Sequence, residues 1–199
     1  MAEKIRYTRK DLKGPDEFIT TFGQTVAWVK ENRSKVAAGA LAVVAVVALV
    51  LGGRAYMQWE ENKSSRDLWP HLNRAREILQ APSTAEPEKL AAIEQFLAAH
   101  ANIHPDTRAT VYSRYYLGSI AFVRGNYDLA VSQFRAGIAI RKEIGIMKYL
   151  LRQGIASSLE AKGDYAGAVA AYRDAATFAD GDMKTQSRLG EARILALSG

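Results

Sequence analysis

The stretch Gly125–Gly137, GNYDLAVSQFRAG, decides the fold, because Gly163–Ala175, GDYAGAVAAYRDA, repeats its pattern. A glycine, an Asn or Asp, and a tyrosine open both stretches. Ala130, Phe134 and Gly137 then recur as Ala168, Tyr172 and Ala175, each 38 residues on. Small, aromatic and small residues at helical spacing after a glycine turn are the mark of a repeated helical hairpin. Such a hairpin buries its apolar face only by stacking on a neighbour.

Working outward, the first helix of each hairpin is legible too. Leu117-Gly118 precedes the first turn as Ile155-Ala156 precedes the second. Leu189-Gly190 repeats the pair near the C-terminus and predicts a last helix that caps the stack. Upstream, Ala92, Phe96 and Ala99 lie 38 residues before Ala130, Phe134 and Gly137, which predicts a third, degenerate copy closed by Pro105. The segment Ala81–Pro87 reads as a loop. Pro70 reads as the end of one helix or the start of another. Around it, Leu72, Ala75, Arg76 and Leu79 form a helical stripe.

Val36–Gly53, VAAGALAVVAVVALVLGG, carries no charged or strongly polar residue. As helix it spans about 27 Å, close to the ~30 Å hydrocarbon core of a bilayer. Lys35 and Arg54 fence it, and Trp28, Tyr56 and Trp59 flank it as interfacial aromatics would. A cleaved signal peptide is the rival reading, with Gly52-Gly53 as a mimic of its cleavage site. The 35 residues before the run favour an uncleaved anchor. Those residues hold eight Lys/Arg against five Asp/Glu, so the N-terminus is expected in the cytoplasm and the rest outside it. Gly14-Pro15-Asp16-Glu17 reads as a helix start, followed by Phe18, Phe22, Val26 and Val29 at helical spacing. This is either an interfacial helix or an N-terminal extension of the span.

The predicted fold class is therefore all-α. Residues 1–35 form a basic cytoplasmic tail with an amphipathic helix, and 36–53 a transmembrane helix. Residues 54–199 form an extracytoplasmic α-solenoid of degenerate hairpins with a C-terminal capping helix. Composition agrees, with 48% hydrophobic and 24% charged residues among 199. The absence of cysteine excludes disulfides, thiolate nucleophiles and cysteine zinc sites. The net charge of +6 comes with no groove-reading motif, so no nucleic-acid partner is expected. His100 and His104 have a metal-ligand spacing, but Pro105 interrupts the helix beside them. They read as solvated helix-end histidines. No catalytic or phosphate-binding motif is present, and neither an enzyme nor a cofactor is expected.

The aliphatic-Gly/Ala pair, the Gly-Asx-Tyr turn and the Ala, aromatic and small steps resemble the tetratricopeptide repeat. Arg114 and Arg152 stand where that family often has Trp, and Ala121 and Leu159 where Tyr is common. Lys142 and Asp180 replace its terminal Pro. The period is about four residues longer, with the insertion expected in helix extensions around Ile144-Gly145-Ile146. First helices line a concave groove in that family. The resemblance thus implies a protein-binding groove of Tyr112, Tyr115, Ser119 and Phe122, then Leu150, Gln153, Ser157 and Glu160, with Lys184, Ser187, Arg188 and Glu191 from the cap. Tyr112 and Tyr115 equally fit a packing role inside the array.

With the N-terminal anchor added, the chain resembles the bacterial ancillary SecYEG translocon subunit family, of the YfgM type. Asp16 to Asn32 and Arg54 to Trp59 carry that likeness beside the anchor. It implies a single-pass inner-membrane protein with a periplasmic, chaperone-like domain. Expected partners are secretion-channel subunits, a membrane-anchored folding factor and peptides in the groove. The same features fit an assembly scaffold of another cell-envelope complex, such as a pilus, secretion or cell-wall machine.

Overall fold

A computed structural model describes residues 17–80, 87–140, 142 and 144–198. Among these residues there are eight helices and no strand: α1 (Glu17–Glu31), α2 (Arg33–Gln80), α3 (Pro87–Ile103), α4 (Arg108–Val123), α5 (Tyr127–Ala139), α6 (Met147–Lys162), α7 (Tyr165–Thr177) and α8 (Gly181–Ser198). The expected helix start at Gly14–Asp16 and the loop at 81–86 lie outside the described residues. The chain divides into two compact units, Met1–Ala55 and Tyr56–Gly199.

In the first unit, helical bonds carry the backbone from α1 into α2, from Asn32 N–H to Trp28 C=O (2.9 Å) and from Val36 N–H to Asn32 C=O (3.0 Å). The apolar run is then exposed all round, Leu41 and Leu49 included. No residue of its most apolar window is buried, and the helix is long and apolar enough to cross a membrane.

In the second unit, the Gly-Asx-Tyr sequence turns one helix into the next by local chemistry. Gly125 and Gly163 adopt φ of 75° and 85°, a region that a side chain disfavours. At both corners two backbone bonds close the preceding helix: Gly125 N–H to Phe122 C=O with Asn126 N–H to Ala121 C=O, and Gly163 N–H to Glu160 C=O with Asp164 N–H to Leu159 C=O, all 2.9 Å. The Asx side chain then caps the next helix. Asn126 accepts from Leu129 N–H (3.3 Å) and Asp164 from Gly167 N–H (2.9 Å).

Helices pack in chain order, α3 on α4, α4 on α5, and so on to α7 on α8, with α4 also meeting α6. The core follows as successive clusters. Leu68, Leu72, Ile93, Leu97 and Leu117 join α2, α3 and α4. Val111, Ala130, Phe134, Leu151 and Ile155 join α4, α5 and α6. Ala156, Ala168, Tyr172 and Ile194 join α6, α7 and α8. Close approach is set by glycines: a Cβ on Gly118 or Gly154 would lie 2.6 or 2.7 Å from the Phe134 ring, and one on Gly190 2.6 Å from Tyr172.

Four expectations change. Pro70 lies inside α2 rather than at its end. It is exposed, and Leu68, Leu72 and Ala75 on both sides of it are buried in one cluster, which holds the helix together across the missing N–H. The copy at Ala92, Phe96 and Ala99 is shifted: α3 buries Ile93, Leu97, His100 and Ala101, while Ala92 and Ala99 are exposed. A buried aromatic at this step needs bare backbone opposite, and α2 has no glycine between Ser64 and Gln80. The extra four residues are not helix extension. They lengthen the connection 140–146 relative to 178–180, and Ile144, Gly145 and Ile146 are not helical. Finally, Leu189 is 63% exposed, unlike its counterparts Leu117 and Ile155, because α8 turns Ser187, Gly190 and Ile194 inward.

Candidate functional site

Helical spacing places Tyr115, Ser119 and Phe122 on one face of α4, and Leu150, Gln153 and Ser157 on one face of α6. The two faces line one cavity of about 410 Å³, closed on another side by Arg76, Leu79 and Gln80 of α2. Phe134 lies at its floor, 3% exposed, where the absence of a side chain on Gly154 lets α6 approach the ring. Tyr115 packs on Phe134 (centroids 6.0 Å) and edge-on to Tyr116 (5.5 Å). Burial pushes the Tyr115 hydroxyl above its ordinary pKa, so it stays a neutral donor. Ser119 donates to the Tyr115 carbonyl at 2.9 Å, and Gln153 Oε1 accepts from Ser187 at 3.1 Å. Arg76 is the one charged side chain among the described residues lining the cavity.

Six of the expected groove residues thus come together, and the others do not. Tyr112 packs instead against Trp69, with ring centroids 5.8 Å apart. Glu160 is drawn away by Tyr172 Oη–H (2.6 Å) and by Arg193 (2.7 Å). Burial alone would raise its pKa, but the Arg193 and Tyr172 hydrogen bonds outweigh that and hold it low. Lys184, Arg188 and Glu191 line a separate cavity beside Arg173 and Thr177, with Glu191 paired to Arg173 at 2.6 Å. Ser187 is buried. Arg76, Leu79, Gln80, Tyr116, Val123, Phe134 and Gly154 also line the cavity and were not among the expected residues. The α2 stripe is visible in sequence, but its spacing does not say which helices it faces.

The histidines are not solvated. His100 and His104 are each 3% exposed. The Ser64 carbonyl lies 3.0 Å from His100 Nε2, which places the proton there, and Nδ1 then accepts from Ser113 Oγ at 2.8 Å. His104 Nδ1 meets Glu60 Oε1 at 2.5 Å and its Nε2 lies 3.6 Å from Asp67. His71 stacks on Phe96 at 3.6 Å, so all three histidines line one cavity with Asp67. Ser64 and Thr107, 2.6 Å apart, complete a buried polar seam between α2 and the α3–α4 corner. Burial lowers the His100 pKa, with His104 and His71 adding to the effect and the Ser64 carbonyl and Asp67 opposing it. Among the described residues no three His, Asp or Glu have the geometry to hold a metal ion. Neither spacing nor composition signals that seam, because it joins α2 residues before Pro70 to partners about 40 positions on in sequence.

No family model, curated protein or solved structure matches the chain.

Proposed function

We propose that the chain is a membrane-anchored, non-enzymatic protein-interaction scaffold, an accessory of the bacterial secretion channel with a chaperone-like role. The observation that carries this reading is the aromatic-floored cavity between α2, α4 and α6, whose lining is apolar with a few polar groups. Sites of that composition bind side chains of other molecules. The Gly-Asx-Tyr corners and the chain-order packing support a short tetratricopeptide-like α-solenoid around it. The apolar run in α2 supports anchoring, and the basic residues before it support a cytoplasmic N-terminus in the inner membrane with the remainder in the periplasm.

The test is photo-crosslinking in living cells from a reactive residue at Tyr115 or Phe122. Secretion-channel subunits or polypeptides in transit are expected as adducts. Absence of adducts from both positions, with the protein present at normal levels, overturns the reading.

A further inference from the structure

The cavity carries its own statement about what enters it. Its floor and much of its wall are Phe134, Tyr115, Phe122 and Leu150. A space of about 410 Å³ has room for inserted side chains. The polar groups on α4 and α6 are partly engaged, Ser119 on the Tyr115 carbonyl and Gln153 on Ser187.

Arg76 is the charged group to consider. Arg124, Arg152, Arg173 and Arg193 each hold a carboxylate, Glu94, Asp174, Glu191 and Glu160, whereas Arg66, Arg74, Arg76, Arg135 and Arg188 hold none among the described residues, and of these Arg76 alone is in the lining of this cavity. It lies exposed beside the aromatic lining of the cavity. Among the described residues lining the cavity there is no carboxylate to repel an anion. A guanidinium beside an apolar pocket pairs a carboxylate through two parallel hydrogen bonds, and partial exclusion of water strengthens the pair.

Building on the reading of this cavity as protein-binding, we propose that it selects an aromatic or large aliphatic side chain of a partner polypeptide with an Asp or Glu beside it in sequence, the apolar group against Tyr115, Phe122 and Leu150 and the carboxylate on Arg76. Two requirements follow. The apolar anchor supplies the desolvation free energy, and the acidic neighbour supplies direction and discrimination against basic segments.

The experiment uses the full chain in detergent and three fluorescent peptides of equal length. One has Phe flanked by Asp, one has Phe flanked by Lys, and one has the Asp flanks with Gly in place of Phe. Anisotropy titrations at low salt are expected to favour the Asp–Phe peptide over the Lys–Phe peptide by roughly tenfold, a margin that shrinks as salt screens the pair. The Gly peptide is expected not to bind. Arg76→Glu, at an exposed position, is expected to keep the melting curve and reverse the order of the two Phe peptides. Equal affinities, an R76E variant that keeps the preference, or no binding by any of the three overturns the inference. The protein-binding reading of the cavity falls separately, on an empty crosslinking pattern from Tyr115 and Phe122.

Discussion

Phe134 is fixed by what its neighbours lack. It is 3% exposed, with Gly118 on α4 and Gly154 on α6 both within a methyl group's reach of its ring. The ring cannot retreat from one helix without striking the other. Gly154→Ala is therefore expected to destabilise the second unit by about 1–3 kcal/mol, read as a lower denaturation midpoint. Adding Phe134→Leu should cost less in that background than in the wild type, since the smaller side chain yields to the new methyl. Simple additivity of the two losses would contradict this packing. His100 makes a second residue-scale case. Its pKa lies below the ordinary 6.5 because burial disfavours the imidazolium among Ser64, Ser113, His104, His71 and Asp67. As pH falls through 6.5, the unfolded chain takes up this proton before the folded one does, and stability drops. His100→Gln should flatten that part of the decline between about pH 7 and pH 5, measured as melting temperature. A decline of unchanged slope would place its origin elsewhere.

At the scale of elements, the corners are the legible part. A glycine in the left-handed region and an Asx that caps the next helix need no distant partner, so three letters of sequence suffice. Asp164→Ala should cost about 0.5–2 kcal/mol through loss of the Gly167 N–H bond. Gly163→Ala should cost about 1–2 kcal/mol, because its φ of 85° strains any side chain. Both are measurable by thermal or urea denaturation, and a neutral result at Gly163 would deny the left-handed corner. What was not legible depends on partners remote in sequence. Pro70 predicts a break, yet Leu68, Leu72 and Ala75 are packed in one cluster on both sides of it, and the helix runs through. The small-aromatic-small step at Ala92, Phe96 and Ala99 has the right spacing. It finds no glycine between Ser64 and Gln80 of α2, and Phe96 meets His71 instead. The groove was half legible for the same reason. Faces of α4 and α6 follow from spacing, but their common wall comes from α2.

For the whole molecule, no described residue in the most apolar window of α2 is buried. The proposed topology makes a clear demand. A reporter joined after Gly199 that is active only outside the cytoplasm should be active in cells, and one active only inside should be silent. The opposite pattern would reverse the orientation. Within the second unit, most packing joins helices adjacent in sequence, while Glu61 of α2 reaches Lys142 Nζ (2.9 Å) and the Arg108 N–H (3.0 Å). Time enters here. Neighbour-to-neighbour packing needs little loop closure, so the hairpins should form rapidly and largely independently. Among the ion pairs of the described residues, the Glu61–Lys142 tie spans the longest stretch of chain and should form after the folding barrier is crossed. Lys142→Ala should then speed unfolding by up to about fivefold and leave the folding rate nearly unchanged. Lys142 thus acts as a late latch, governing how long the folded second unit lasts rather than how fast it is reached.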